Sequence, residues 1–282
     1  MGRSSISKDI KMIDTLFAGP WVGEFGWELF CWQGHLRYLR PNYKKIIVSC
    51  REGHEVIYED FADEILSVNI SCEETDMWNC RNYKAPTFQE VFKRRLLKNE
   101  KWIPPNIPIV RYDHRHILDE KPLFKNFKNQ KYFKYGDKSK NYDIVWHARE
   151  TDKSKTGYRN WPLAKWNELA SFYKDKKTAT IGTQNSSFMV GGEDLRGISL
   201  KKLANVLSSS TLIVGPSSGP IHFASLCGCN QISWYGDPYN DQNKIRFEKD
   251  WNPFGTKVKI IRKDNWDVNV SHIRSLIDSI LQ

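Results

Sequence analysis

The sequence predicts an α/β protein built as two doubly wound domains that face a central cleft. Short apolar runs that read as buried strands alternate with stretches of helical periodicity along most of the 282 residues. The pattern opens near residue 15 and restarts near residue 142, after a basic segment. The loops that follow four of the strands, at 23–26, 149–160, 182–183 and 216–219, are glycine-rich or polar. Ligands of doubly wound sheets bind beyond the carboxyl ends of the strands, so these loops point to one shared cleft.

In chain order, residues 15–18 form a short apolar strand running into the loop GPWVGEFGWEL. Leu29, Trp32, Leu36 and Leu39 then recur at helical spacing, and Pro41 closes that helix. KKIIVSC (44–50) is the next strand, which completes a βαβ opening. Residues 55–66 and 88–97 are expected as helices, and KWIPPNIPIV as extended chain. In the second half, YDIVW (142–146) is a strand followed by the polar loop HARETDKSKTGYRNWP. Leu163, Trp166, Leu169, Ala170 and Tyr173 mark a helix. A strand at 178–181, a helix at 200–207 and a strand at 212–214 follow, while Glu193 and Asp194 read as part of a turn. A helix after Gly219, strands at 231–234 and 258–261, and a helix from Ser271 complete the chain. The two halves join near residues 121–141.

Composition narrows the function. A net charge of +10 points to acidic ligands: phosphates, nucleic acid or anionic lipid. Lysines concentrate in residues 121–140, from Lys121 to Lys140, interleaved with Phe124, Phe127, Tyr132, Phe133 and Tyr135, a composition suited to a membrane surface or to stacked bases. Six scattered cysteines suggest free thiols in a reducing compartment and neither a zinc ribbon nor a disulfide framework. No signal-peptide core or membrane span is recognisable, so a cytoplasmic protein, peripheral to a membrane at most, is expected.

The most informative stretch is TLIVGPSSGPIHFASLCGCNQISWYGD, residues 211–237: strand, tight turn, helix, strand. Pro220 suits the first helical turn, where a missing N–H costs nothing. Ser217, Ser218 and Gly219 then lie where a helix start offers unpaired N–H groups and positive dipole, a setting for phosphate.

RNWP followed by KWNELASFY, then DLRGISLKKLANVLSSSTLIVGPSSGPIHFASLCG and a closing YGDP, resembles the ADP-heptose:lipopolysaccharide heptosyltransferase family, glycosyltransferase family 9, of the GT-B type. The resemblance spans roughly residues 143–238; the first half matches only at its glycine loop, where Gly23-Glu24 stands for the family's Gly-Asp pair. It implies an acceptor-binding Rossmann-like domain over 1–130 and a nucleotide-sugar-binding one over 131–282. One departure is Ser217, which occupies the Asp position of the family's Asp-Ser-Gly-x-x-His turn. Serine serves a helix N-cap equally well, so the substitution bears on the choice of donor sugar.

Inverting transfer from a nucleotide sugar needs a base for the acceptor hydroxyl and charge relief for the departing diphosphate. Glu24, in a glycine loop at a strand end, is the candidate base, with Glu28 as alternative. Trp21, Gly23, Phe25 and Gly26 surround it as an acceptor platform. Arg159 leads the leaving-group clamp, with Arg149, Lys153, Lys155 and Asn160 on the same loop. His222, one turn into the helix after the anion turn, can reach a phosphate or ribose, and Gly182 with Thr183 can hold the nucleoside. His147 follows a strand directly and reads first as a packed residue. A cation clamp makes a divalent metal unnecessary, so no metal or other cofactor is expected. The partners expected are a nucleotide sugar and a saccharide, glycolipid or nucleic-acid acceptor. The competing readings are a non-catalytic nucleotide- or nucleic-acid-binding protein on the same shell, and a nucleotide-sugar epimerase.

Overall fold

The computed structural model describes residues 13–21, 24–69, 100–103, 130–138, 141–151, 157–236 and 242–282. The chain divides into two compact units, Met1–Lys131 and Tyr132–Gln282.

In the first unit, β1 (Ile13–Ala18), β2 (Tyr43–Arg51), β3 (Glu64–Val68) and β4 (Glu100–Ile103) form one sheet in the order β3-β2-β1-β4. Every pairing in it is parallel. The crossover from β1 to β2 carries three consecutive helical stretches: α1 (Phe25–Trp27), a π-helical stretch Glu28–Trp32, and α2 (Gln33–Leu39). Leu29, Trp32 and Leu36 are buried on this crossover, as the helical spacing predicts, together with Phe30, which lies outside that spacing, whereas Leu39 is only half-buried. A 3₁₀ turn, Arg40–Asn42, contains Pro41 and hands the chain to β2.

The expected helix at 55–66 is not there. A single 3₁₀ turn, Glu55–Ile57, is followed by bends and then β3. Ile57, Phe61 and Ile65 mimic a helical stripe, but Asp63 Oδ2 accepts from the Ile46 N–H at 2.6 Å and leads the chain into pairing with β2. The expected helix at 88–97 and residues 104–110 of KWIPPNIPIV lie outside the described residues, whereas 101–103 belong to β4.

The second unit holds a six-stranded, wholly parallel sheet: β5 (Tyr142–Trp146), β6 (Thr178–Gly182), β7 (Glu193–Arg196), β8 (Ser210–Pro216), β9 (Asn230–Tyr235) and β10 (Val258–Arg262). Its order is β10-β9-β8-β5-β6-β7. Numbered within the unit and read from the other edge, this is the 3-2-1-4-5-6 order of dinucleotide-binding sheets, whose direction of winding reverses between β5 and β8. Glu193 and Asp194, expected in a turn, open β7. An edge strand tolerates such charge, and Glu193 is tied to the sheet by the Tyr142 hydroxyl at 2.6 Å.

Alternate strand residues face opposite layers. Ile144, Trp146, Leu212, Val214, Ile232 and Trp234 share a core with α3 (Leu163–Ser171) and α7 (Val270–Leu281) through Trp166, Leu169, Ile273 and Ile277. Trp161, Trp166 and Trp234 meet there with ring centroids 4.9 to 5.7 Å apart. The Trp161 indole donates to the Val268 carbonyl at 3.0 Å, which meets the hydrogen-bond need of a buried tryptophan. The helices α4 (Leu200–Ser208) and α5 (Gly219–Cys227) pack together, and both pack against β8. The short helix α6 (Gln242–Ile245) runs into a π-helical stretch, Arg246–Asp250.

Candidate functional site

In the second unit the loops that follow β5, β6 and β8 lie at the carboxyl edge beside the winding reversal. The loop after β5 is fastened to the loop after β6. Arg149 bridges Ser187, and the Glu150 N–H donates to the Ser186 carbonyl at 2.8 Å. Arg149, Gly182 and Thr183, separate in sequence, are thereby brought together. The structure assigns Gly182 to packing: its φ is +134°, and a Cβ there would collide with the Ser187 hydroxyl, so its bare face is filled by Ser187. Thr183 is exposed, and its hydroxyl meets that of Ser186.

Asn160 ties off the loop after β5. Its Nδ2 donates to the Thr151 carbonyl at 2.8 Å and its Oδ1 accepts from the Thr151 N–H at 3.1 Å. The side chain expected to hold a donor thus closes a loop. Lys153 and Lys155, which that loop carries, lie outside the described residues. Arg159 is held in place by aromatic rings. Its Nε and Nη2 donate to the Tyr158 hydroxyl at 3.2 Å, and the guanidinium sits 5.4 Å from the ring centroids of both Tyr158 and Trp266.

The turn after β8 departs from expectation in one respect. The Ser217 N–H is not available to an anion, because it donates to the Trp234 carbonyl at 2.9 Å and extends the β8–β9 pairing. Ser218 is the N-cap of α5 with extended backbone. Its hydroxyl is buried, makes no cap bond and has no hydrogen-bond partner among the described residues. Gly219 and Ile221 lie in the first turn, where helix geometry provides no internal acceptor for their N–H groups. The anion setting therefore consists of Ser218, Gly219 and Ile221.

His222 packs against Phe247 and Trp251 at centroid distances of 4.8 and 4.7 Å. Burial, reinforced by the Arg159 charge, lowers its pKa to about 3. It is a neutral imidazole near neutral pH, able to hydrogen-bond a ligand but not to pair with phosphate as a cation. The same effect shows that Arg159 and α5 share one electrostatic neighbourhood. His147, beneath the loops, is lowered to about 4 by burial against a hydrogen bond with the Ile181 backbone, with Arg149 adding to the lowering.

In the first unit, Glu24 is the N-cap of α1 and is exposed. Phe25 is half-buried, its ring edge-on to His54 at 5.3 Å. Gly26 lies within α1, and Gly23 is outside the described residues. Trp21 does not form a platform. It is 2% exposed, packed on Trp32 at 5.4 Å, and its indole donates to the Glu24 carbonyl at 3.2 Å. It secures the loop from beneath.

Sequence reasoning missed the polar cluster beside this loop. Glu28, wholly buried, accepts from Arg51 Nη2 and His54 Nδ1 through Oε2 at 2.7 and 2.9 Å, and from the Tyr58 hydroxyl through Oε1 at 2.7 Å. Burial alone would raise its pKa. The charges of His54 and Arg51, with the hydrogen bonds from His54 and Tyr58, reverse that and hold it at about 2. Glu28 is therefore a fixed anion, not a base. The available signal was the sequence Arg51-Glu52-Gly53-His54, charged and turn-forming, directly after an apolar strand.

Among the described residues, no cluster of His, Cys, Asp or Glu has the makings of a metal site, and no helix is long and apolar enough to cross a membrane. Of the basic run at 121–140, residues 130–138 are described; Lys131, Phe133, Lys134 and Lys138 are exposed there.

No family model and no curated protein matches the chain. Solved structures do. A family 9 glycosyl transferase of Veillonella parvula aligns with TM-score 0.63 at 12% identity, over 96% of this chain and 98% of its own. ADP-heptose LPS heptosyltransferase II of E. coli gives 0.57 at 14%, over 95% and 98%. The E. coli heptosyltransferase WaaC, solved with ADP, gives 0.53 at 12%, over 95% and 99%. The chain has the fold of these glycosyltransferases. The likeness covers β1–β4 as well as β5–β10, so the heptosyltransferase-like fold extends to the half whose sequence resembles the family only at its glycine loop.

Proposed function

We propose that the chain is a glycosyltransferase that moves a sugar from a nucleotide-sugar donor to a hydroxyl acceptor, with inversion and without a metal ion. The observation that carries this reading is the placement of Arg159 and the α5 N-terminus on loops flanking the winding reversal of a dinucleotide-type sheet. A diphosphate leaving group develops negative charge as the glycosidic bond breaks. Stabilising developing charge with fixed donors is usually the largest catalytic term. The ring-held Arg159, with Arg149 and the N–H groups of Gly219 and Ile221, supplies such donors, and Ser218 adds a hydroxyl. Tyr158 and Trp266 limit the freedom of the guanidinium, which reduces the entropy lost on binding.

In this reading the second unit holds the donor and the first unit receives the acceptor. Glu24 and Phe25 line the acceptor side: the carboxylate accepts a hydrogen bond from the incoming hydroxyl, and the ring offers a sugar an apolar face. The fold likeness to proteins described as heptosyltransferases makes an ADP-linked sugar the first donor to try. The test is nucleoside diphosphate release from ADP-, UDP-, GDP- and TDP-sugars and CMP release from CMP-sugars, each with EDTA and a set of saccharide and glycolipid acceptors. Acceptor-dependent release from one donor class supports the reading. No release from any donor would overturn it.

A further inference from the structure

Neither carboxylate near the first glycine loop has the setting of an effective base. Glu28 is a buried anion already engaged by three partners, and Glu24 is exposed on an N-cap. The side chain that reaches the surface from the same cluster is His54. We propose that His54 is the general base that takes the acceptor proton, and that Glu28 is the positioning residue that fixes its tautomer. The inference rests on the glycosyl-transfer reading and names the proton acceptor within it.

The geometry starts from β2, which ends at Arg51. A turn follows, in which the Glu52 N–H donates to the Val68 carbonyl and the His54 N–H to the Arg51 carbonyl, both at 3.0 Å. His54 is thereby set over the carboxyl end of a central parallel strand, where such sheets place their ligands. Below it, Glu28 opens the π-helical stretch, an irregularity common at functional sites. Because Glu28 is ionised, the His54 Nδ1 that faces it at 2.9 Å carries the proton. Arg51 and the Tyr58 hydroxyl hold Glu28 as well, so it stays anionic opposite the neutral ring, in which Nε2 keeps its lone pair. Nε2 has no hydrogen-bond partner among the described residues, and the imidazole is 17% exposed.

This is the arrangement of an imidazole base oriented by a buried carboxylate. Arg51 balances the Glu28 charge from 2.7 Å away. The other groups bearing on His54 are Glu55, which feels its charge, and Tyr58, joined to it through Glu28; the Cys50 thiol lies behind Glu28, and burial first, then Glu28 and Glu55, hold it protonated.

In the step itself, Nε2 takes the hydroxyl proton while the acceptor oxygen forms its bond to the anomeric carbon. The bond from that carbon to the phosphate oxygen breaks, and its electron pair leaves with the nucleoside diphosphate. The imidazolium is stabilised by Glu28 and afterwards gives its proton to water.

The test is steady-state transfer across pH by the full chain and its His54→Ala, His54→Gln, Glu28→Gln and Glu24→Gln variants, with whichever donor and acceptor the release assay identifies. His54→Ala and His54→Gln should lower kcat by about 10²- to 10⁴-fold, the usual worth of a general base, with donor KM within about threefold of wild type. The acid limb of kcat/KM should vanish in both and persist in Glu24→Gln. Added imidazole should restore turnover to His54→Ala in proportion to its unprotonated fraction, a response that a structural histidine does not give. Should Glu28→Gln fail to fold, the two His54 variants on their surface turn still decide the matter. Turnover by His54→Ala at the wild-type rate, or a loss that imidazole does not restore, would overturn the assignment of His54 alone. A wild-type chain that consumes no donor would overturn the glycosyl-transfer reading and this inference with it.

Discussion

Asn160 Nδ2 donates to the Thr151 carbonyl at 2.8 Å, and Asn160 Oδ1 accepts from the Thr151 N–H at 3.1 Å. Two bonds from one amide close the ends of the chain segment that carries Lys153 and Lys155, and they set the approach to Arg159. Asn160→Ala should leave the fold intact and weaken nucleoside diphosphate binding by about three- to tenfold, the equivalent of one or two net hydrogen bonds. Titration calorimetry on the variant checks this. Wild-type affinity would mean that the closure has no bearing on the ligand.

Arg159 is oriented by two rings and a phenol hydroxyl, so its charge and its planar shape both matter. Arg159→Ala should lower kcat by about 10²- to 10³-fold, as loss of one donor to a developing anion does. Arg159→Lys should recover only part of that, because lysine has neither the fork nor the stacking face. Equal rates for the lysine variant and wild type would show that charge alone is used.

Gly215 in β8 is required by the packing of His147. A Cβ there would lie 2.8 Å from the His147 carbonyl oxygen and 3.0 Å from its Cβ, both in the strand layer beneath the candidate site. Gly215→Ala should therefore destabilise the second unit by about 1–3 kcal/mol, as over-packing does, and the loss is read from denaturant unfolding.

The two units should respond to acid in different windows. His147 has its folded pKa lowered from 6.5 to about 4, so the unfolded chain gains a proton that the folded chain refuses. Stability from this group is full above pH 6.5 and falls toward pH 4, by on the order of 3 kcal/mol. Glu28, lowered from 4.5 to about 2, contributes stability that is present above pH 4.5 and is lost as the pH falls toward 2. Urea unfolding at a series of pH values should show both losses. His222, lowered from 6.5 to about 3 in the same unit, adds to the first, so His147→Gln should remove only its own share of it and leave the Glu28 loss unchanged.

Much of the second unit was legible because its central strands are continuous apolar runs buried on both faces. YDIVW and the strand around Leu212–Val214 stand out in that way, and Gly219 with Pro220 marks the start of α5. β7 was not legible, since Glu193-Asp194-Leu195-Arg196 is a charged edge strand that looks like a turn. The stretch at 55–66 misled because three apolar residues at helical spacing were outweighed by pairing with β2. For the candidate site, the positions of the loops after β5, β6 and β8 could be read from local pattern. The engagement of Ser217 by Trp234 and the grouping of Glu28, Arg51, His54 and Tyr58 could not. Glu28 meets partners 23 to 30 positions away, and only the tertiary fold brings them together.

Nucleotide binding by the second unit is the property on which the glycosyl-transfer reading depends. Thermal unfolding of the full chain with ADP, UDP, GDP, CMP and TDP, each in EDTA and again in magnesium, addresses it most directly. A ligand that binds only the native state raises its apparent stability with the logarithm of concentration over affinity. The prediction is a rise in Tm with one nucleotide in EDTA, unchanged by magnesium and reduced in Arg159→Ala. No shift with any nucleotide, or a shift that Arg159→Ala leaves untouched, would contradict it.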